Sequence, residues 1–577
     1  MPRPIAHALV GITFIAGCYD FKRSTRDATT DIALDEPLLV DEVNSAVDAG
    51  SDCGCEALTP PRPLSPISVS IQSSRTPTLR WELAEGTDGA RVELCRDRAC
   101  ETRVLREDVI GTQFVPPAEL PAGNVFWRLA SRRGAVLGTL WSPTWQMVVR
   151  PRGVARDIAS GHVPDFNGDG YGDLLLGMPR SGARAGRALL FYGSPTGLSM
   201  TPRYIDPPTA GMIEFGYEPA SVGDVDGDGF ADAVISAIAL MGSAGAAYLY
   251  RGGPSGLAST PTTAITAPYG PNAEYGWWIS GGDVDLDGYS DAAITAFRFN
   301  TFQGRLALHR GSRAGLLARP VTTVGTEGGA FSQFSQSTTI AELTGDRHPD
   351  LVASEQGWMS FSGTAKLFNG SSAGFNLEPS WISRGTGAYG SVPSSVGDAN
   401  GDGFNDLLVG AVEENRTGRV HLFLGSAEGI PPRSTSVIEN PIPTSPRLNG
   451  NHQCVGDVNA DGFDDFVIAS ADLGSEPTRS QSHLYLGSAG GLPSRPSLSW
   501  ESPAAPGGRF GEVIASMGDA NGDGADDIAI AAYAAQSQLG RVYVYYGAVG
   551  ALPSATADRV IADPEGGQLG RGGARSR

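Results

Sequence analysis

Side-chain oxygens at every second position of a short, glycine-kinked stretch form a donor set for a hard divalent cation, and DVDGDGFAD, Asp224 to Asp232, has that pattern. Asp224, Asp226, Asp228 and Asp232 hold places one, three, five and nine, and Gly229 holds the sixth, where the backbone turns sharply. Ca²⁺ takes about six to eight oxygens at about 2.3–2.6 Å. Alternating carboxylates supply most of them, and the seventh residue, Phe230, offers its carbonyl.

The same donors recur along the chain. The first copy has Asp165, Asn167, Asp169 and Asp173 with the carbonyl of Tyr171, and the third has Asp283, Asp285, Asp287 and Asp291 with Tyr289. Further on stand Asp398, Asn400, Asp402 and Asp406 with Phe404, then Asp457, Asn459, Asp461 and Asp465 with Phe463. The last copy has Asp519, Asn521, Asp523 and Asp527 with Ala525. A worn copy, ELTGDRHPD from Glu342 to Asp350, lies between the third and fourth intact ones, with Thr344 in place of an acidic ligand and Arg347 in place of the turn glycine. We expect six calcium sites, and at the worn stretch no ion or a poorly held one. First residues of the seven stretches are 59, 59, 59, 56, 59 and 62 apart, a period that marks a repeat array.

The formal charge of −20 equals the number of aspartates at places one, three, five and nine of the six intact loops. The acidity is therefore concentrated where cations would sit, and it argues against nucleic acid as a partner. With 77 glycines and 40 prolines in 577 residues, the composition suits many short strands joined by tight turns.

Each repeat places its loop between two strands. A first strand such as FGYEPASVG runs into the loop, and a short apolar second strand such as DLLLG leaves it. A third strand, as in GRALLFYG or GRVYVYYG, leads to a turn written GSPTGL, GGPSGL or GSAEGI, and a fourth strand follows. All seven turns are present. Four short strands, repeated seven times without helical period, predict an all-β fold with a seven-bladed β-propeller over residues 154–570. Phe215-Gly216 and Phe510-Gly511 before the loops, the loops themselves and the small residues ending the second strand resemble the FG-GAP repeats of the integrin α-subunit N-terminal propeller and its bacterial relatives. That resemblance implies a seven-bladed ring, calcium in the loops and a role in adhesion or ligand binding. The chain departs from integrins in lacking their leg domains and any inserted von Willebrand type A domain, so integrin partnership and signalling are not implied.

Upstream, residues 1–18 carry Arg3, an apolar run from Ile5 to Ile15 and the tetrapeptide ending at Cys18, which resembles a bacterial lipobox. This implies export and lipidation of Cys18, with the membrane engaged by the lipid anchor alone and a place in the cell envelope, on the outer membrane or cell surface. An ordinary secretion signal is the alternative. Residues 19–58 are acidic and without hydrophobic period, which reads as a flexible linker. Residues 59–150 hold short strands, with Val125, Trp127 and Leu129 on one face, and resemble a small fibronectin type III β-sandwich acting as a spacer or secondary binding surface. Cys95 and Cys100 flank a turn and are expected to close a disulfide.

Strand alternation puts the Asp loops and the GSxxGL turns on one face of the ring. The stretches on the other face vary most between repeats, and there Tyr269, Phe299, Phe302, Trp358, Arg416 and Arg479 are candidates for contact with a protein or polysaccharide ligand. The sequence thus predicts an exported calcium-binding adhesion or ligand-binding module that is not an enzyme. The competing reading is an envelope hydrolase with the propeller as scaffold, against which stand the lack of a GxSxG elbow or HExxH motif and the engagement of most aspartates in the loops.

Overall fold

The computed structural model describes residues 55–571, apart from 239–243, 358–361, 396, 443–447, 471–479, 504–507, 536–538 and 564–566. The export segment with Cys18, the acidic linker up to residue 54, Trp358 and Arg479 lie outside the described residues.

Short runs bounded by glycine turns fold as predicted into antiparallel sheets, one per repeat. In the second repeat Phe215–Gly223, Asp232–Ala237, Ala246–Tyr250 and Thr263–Thr266 pair in chain order. The second strand is buried at every position because sheets cover both its faces, which is why DAVISA reads as an unbroken run of small and apolar residues. Among the described residues six such four-stranded sheets follow a three-stranded one made of Leu174–Met178, Arg187–Phe191 and Arg203–Ile205. We number them blades 1 to 7. First strands of successive blades lie side by side. Blade 7 packs back on blade 1, with Leu174, Leu176 and Phe191 in one apolar cluster with Met517, Ala529 and Val544. The sheets close into a ring, a β-propeller that leaves only short edges.

Glycine before the third strand makes this closure possible. Gly245 has φ +79°, and a Cβ on it would stand 2.3 Å from the carbonyl oxygen of Tyr275, the aromatic that opens the next blade. Gly186 and Gly304 meet Phe215 and Phe334 in the same way, and Gly363, inside the third strand of blade 4, comes as close to the carbonyl of Tyr389. At the end of the chain Gly540 of blade 7 meets Leu569, and the N–H of Gly570 donates to the carbonyl of Gly177 in blade 1 at 3.0 Å. Leu569-Gly570 thus fills in blade 1 the place that Phe215-Gly216 fills in blade 2.

The sandwich buries Trp81, Val125, Trp127, Leu129 and Trp145, with the rings of Trp127 and Trp145 edge to face at 5.6 Å. Cys95 and Cys100 are disulfide-bonded. Two features differ from the expected boundaries. Cys55–Glu56 already pairs with Val136–Trp141, upstream of residue 59. At the other end Ala159–His162, the entry to blade 1, pairs antiparallel with Ser70–Gln72 of the sandwich, so no free connector separates the two parts. The described residues, from Cys55 onward, form a single compact unit.

Candidate metal centres and the opposite face

Each intact loop is curled by its own first aspartate. Asp224 accepts N–H bonds from Gly227 at 2.7 Å on one oxygen and from Gly229 at 2.8 Å on the other. Asp165 does the same with Gly168 at 2.6 Å and Gly170 at 2.8 Å. Those glycines sit at loop places four and six, which are left-handed in all seven loops. The ninth residue ties the loop down: Asp232 accepts from Val225 at 2.9 Å and from Gly252 of the three-four turn at 2.7 Å. Asp350 of the worn loop keeps both bonds, to Leu343 at 2.9 Å and Gly370 at 3.0 Å. The ninth aspartate survives there because it anchors the loop to the turn, whatever an ion would ask of it.

The carboxylates that converge are those at places one, three and five. In blades 2 and 3, Asp224, Asp226 and Asp228, and Asp283, Asp285 and Asp287, each bring oxygens within 4.8 Å of one another. Burial is the first cause that holds Asp224 and Asp283 well above the usual carboxylate range, and neighbouring aspartates add to it. Burial, then the charge of Asp169, lifts Asp165 to about 6, and burial, then Asp226, lifts Asp228 to about 6. Crowded, buried, oxygen-only donors with raised proton affinity fit a divalent cation, which would replace the protons with a stronger counter-charge. A third convergence, Glu93 with Cys95 and Cys100, is of another kind: the cysteines are bonded to each other, and Glu93 accepts from Arg106 and from Arg128 at 2.8 Å.

The loops fall into two charge types. Where place three is aspartate, an arginine meets it: Arg251 to Asp226 at 2.7 Å in blade 2 and Arg310 to Asp285 at 2.8 Å in blade 3. Where place three is asparagine, in blades 1, 5, 6 and 7, the position of that arginine is held by Tyr192, Leu424, Leu486 and Tyr546. Neither arginine was among the candidates read from the sequence, yet aligning the repeats displays the pairing.

On the far end of the blades the structure brings rings together. Tyr217 lies 5.3 Å from Trp277, Trp277 stacks on Phe297 at 4.6 Å, Phe297 meets Phe302 at 5.4 Å, and Phe302 stacks on Phe331 at 6.1 Å. Guanidinium groups cover two of the rings, Arg571 over Tyr217 at one end and Arg298 over Phe302 next to the other. Phe331 is 37% exposed, so the row reaches the surface. Of the predicted residues, Phe302 belongs to this row, Tyr269 and Phe299 lie 5.3 Å from each other against the apolar cluster that holds Tyr275 and Ile279, and Arg416 sits apart in the short turn Glu414–Arg416 of blade 5. Buried Glu214 and Glu274 on the same face accept from Arg184 at 2.6 Å and Arg298 at 2.8 Å.

The FG-GAP-like repeat matches residues 165–235, and the FG-GAP repeat matches 394–423 and 510–545. The chain carries FG-GAP repeats. Integrin alpha-IIb of Mus musculus is 34% identical over 153 residues, covering 24% of this chain and 15% of that protein. Integrin alpha-5 of Xenopus laevis is 34% identical over 164 residues, covering 25% and 15%. The alignments thus span about 15% of the length of these curated relatives. Among solved structures, a Lactobacillus plantarum protein shares 12% identity with a TM-score of 0.42, covering 69% of this chain and 98% of that one. The Dos1 propeller shares 13% with a TM-score of 0.31, covering 71% and 84%.

The FG-GAP loops are joined into a belt. The N–H of Ala231 donates to the carbonyl of Asp165 in the preceding loop at 3.1 Å, Ser290 to Asp224 at 2.8 Å, and Gly172 to Asp519 at 3.0 Å across the closure. In the worn loop this position is Pro349, which has no N–H, and the ring of His348 instead bonds the carbonyl of Val284 at 2.9 Å. The sandwich is seated on this belt. Arg98 donates to the carbonyls of Gly168 at 2.8 Å and Gly229 at 3.0 Å and stacks on Phe230 at 4.3 Å. Arg62, Arg156 and Arg152 stack likewise on Tyr289, Phe404 and Phe463. The expected spacer is therefore a cap on the loop face, because aromatic residues at loop place seven offer flat surfaces that guanidinium groups cover. At the worn loop Arg156 lies 3.4 Å from Glu342, so a guanidinium from the chain stands beside the carboxylate that opens that loop.

Proposed function

We propose that this chain is an exported FG-GAP propeller that binds calcium in its Asp loops, is anchored to the cell envelope through lipidated Cys18, and recognises a protein or polysaccharide with the face opposite the loops. Calcium, when bound, supplies positive charge to the crowded carboxylates. The chain does the rest: Asp224, Asp226 and Asp228 with the carbonyl of Phe230 hold the ion, Asp232 fixes the loop to the turn, and the belt passes that order around the ring.

The observation that carries the recognition reading is the row from Tyr217 to Phe331, where aromatic surface and guanidinium groups occur together on a rigid scaffold. Such residues dominate binding energy at interfaces. The similarity to integrin alpha chains favours a protein ligand. Buried Glu214 and Glu274 nearby are each held by an arginine, which favours binding over acid-base catalysis by them. A pull-down from whole cells and a glycan array, run with the wild type and with Trp277→Ala and Phe302→Ala in calcium, test the reading. Saturable binding lost in both variants supports it. Binding unaffected by either, or turnover in a hydrolase panel, overturns it.

A further inference from the structure

Beneath the cap, between the sandwich and the inner strands of blades 3 and 4, lies a cavity of about 250 Å³, at the small end of ligand pockets. Leu64 and Ile67 of the sandwich, Ile158 of the connection, and Ile279 and Ile340 of the blades give it an apolar body. One end is charged, with Arg80, Arg347 and Asp157 in its wall. Asp157 accepts from the N–H of Thr78 at 2.9 Å and stands 3.8 Å from Arg347. Arg80 donates one terminal nitrogen to Gln113 at 2.6 Å, while its Nε is buried without a hydrogen-bond partner. Two guanidinium groups thus face one carboxylate. The other acids in the wall are engaged elsewhere, Asp283 with the N–H of Gly288 at 3.0 Å and Glu342 with Gly345 and Arg156.

Backbone strain points to the same place. Loop places four and six are left-handed throughout the ring, a conformation that suits glycine. Long side chains are accepted there twice, Leu286 at φ +59° and Arg347 at φ +83°, and both line this cavity. A costly conformation kept at two separate loops, each time placing a side chain in one wall, marks a site rather than an accident of folding.

We infer that this cavity binds a small amphipathic carboxylate, its apolar body against Ile279, Ile340 and Leu286 and its anion between Arg80 and Arg347. The site is independent of the ring face opposite the loops. The worn fourth loop then has a positive explanation: Arg347 in place of the turn glycine recruits an organic anion at the loop least suited to a cation.

The test is titration calorimetry of the full chain in calcium with octanoate, octanol and octylamine, with Trp278 in the wall as a fluorescence reporter. Octanoate is expected to bind once per chain and octylamine not to bind. Arg347→Gly restores the residue used at this place in the other six loops, so it leaves the melting temperature unchanged or higher while weakening octanoate by about tenfold, the worth of a charged hydrogen bond. Arg80→Gln weakens octanoate similarly, and neither variant alters octanol. Equal binding of octanoate and octylamine, no saturable octanoate signal, or unchanged octanoate affinity in both variants overturns the assignment.

Discussion

Asp226 and Asp285 each carry an arginine that the asparagine-bearing loops lack, and the pairing bears on how tightly an ion is held. Arg251, 29% exposed, neutralises a nearly buried carboxylate and competes with a cation for its oxygens. Arg251→Gln should therefore lower the melting temperature in EDTA yet raise calcium affinity at that loop by about fivefold, on the order of 1 kcal/mol. A calcium titration of the variant checks both. Proton binding gives a second test. Asp165, Asp228 and Asp519 are lifted to about 6 and Asp457 to about 7, in each case first by burial. Their folded values lie above the unfolded value of about 3.9, so the stability they give is full below pH about 4 and is lost as pH rises through 6 to 7. Without ions the melting temperature should fall between pH 5 and 7.5, whereas with calcium in place of the protons it should hold. A melting temperature in EDTA that climbs over that interval contradicts the assignment of these carboxylates.

Between elements, stability rests on close approach and on the cap. Gly245→Ala would put a methyl group against the carbonyl of Tyr275 in a left-handed conformation, so it should cost about 3 kcal/mol, read as a lower melting temperature. Arg98→Ala removes the contacts to Gly168 and Gly229 and also those to Thr144 and Gln146, at about 3 kcal/mol, and should open the sandwich to limited proteolysis while the ring stays resistant. How much of this was legible in the chain follows from the range of each interaction. The loops were, because the size of the ion dictates oxygens at alternate places within nine residues. The four strands of each blade were too, because glycine turns mark their ends. The cap was not: Arg98 reaches carbonyls 70 and 131 residues away, and Arg62 one 225 residues away, contacts that leave no local pattern. Nor was the aromatic row, since Trp277 and Phe297 become neighbours only when a blade's first and second strands pair.

The whole ring is a circle of small sheets whose Asp loops crowd buried carboxylates, as in blades 2 and 3, and a cation bound in such a loop would relieve their mutual repulsion. If each site has the weak affinity common outside cells, about 0.1 mM, then about 1 mM calcium stabilises each by roughly 1.4 kcal/mol. Six sites then give about 8 kcal/mol, which is comparable with the roughly 5–15 kcal/mol that holds a typical domain folded. On the proposed calcium binding, the belt of loop-to-loop bonds and the cap of arginines should share that dependence, because both grip the backbone of the Asp loops. The decisive measurement is calorimetric melting of the full chain in EDTA and in calcium, paired with equilibrium dialysis of ⁴⁵Ca. About six ions per chain are expected, with a melting temperature lower by about 10 °C or more in EDTA. Less than one bound ion with an unchanged melting temperature would contradict calcium binding in the loops.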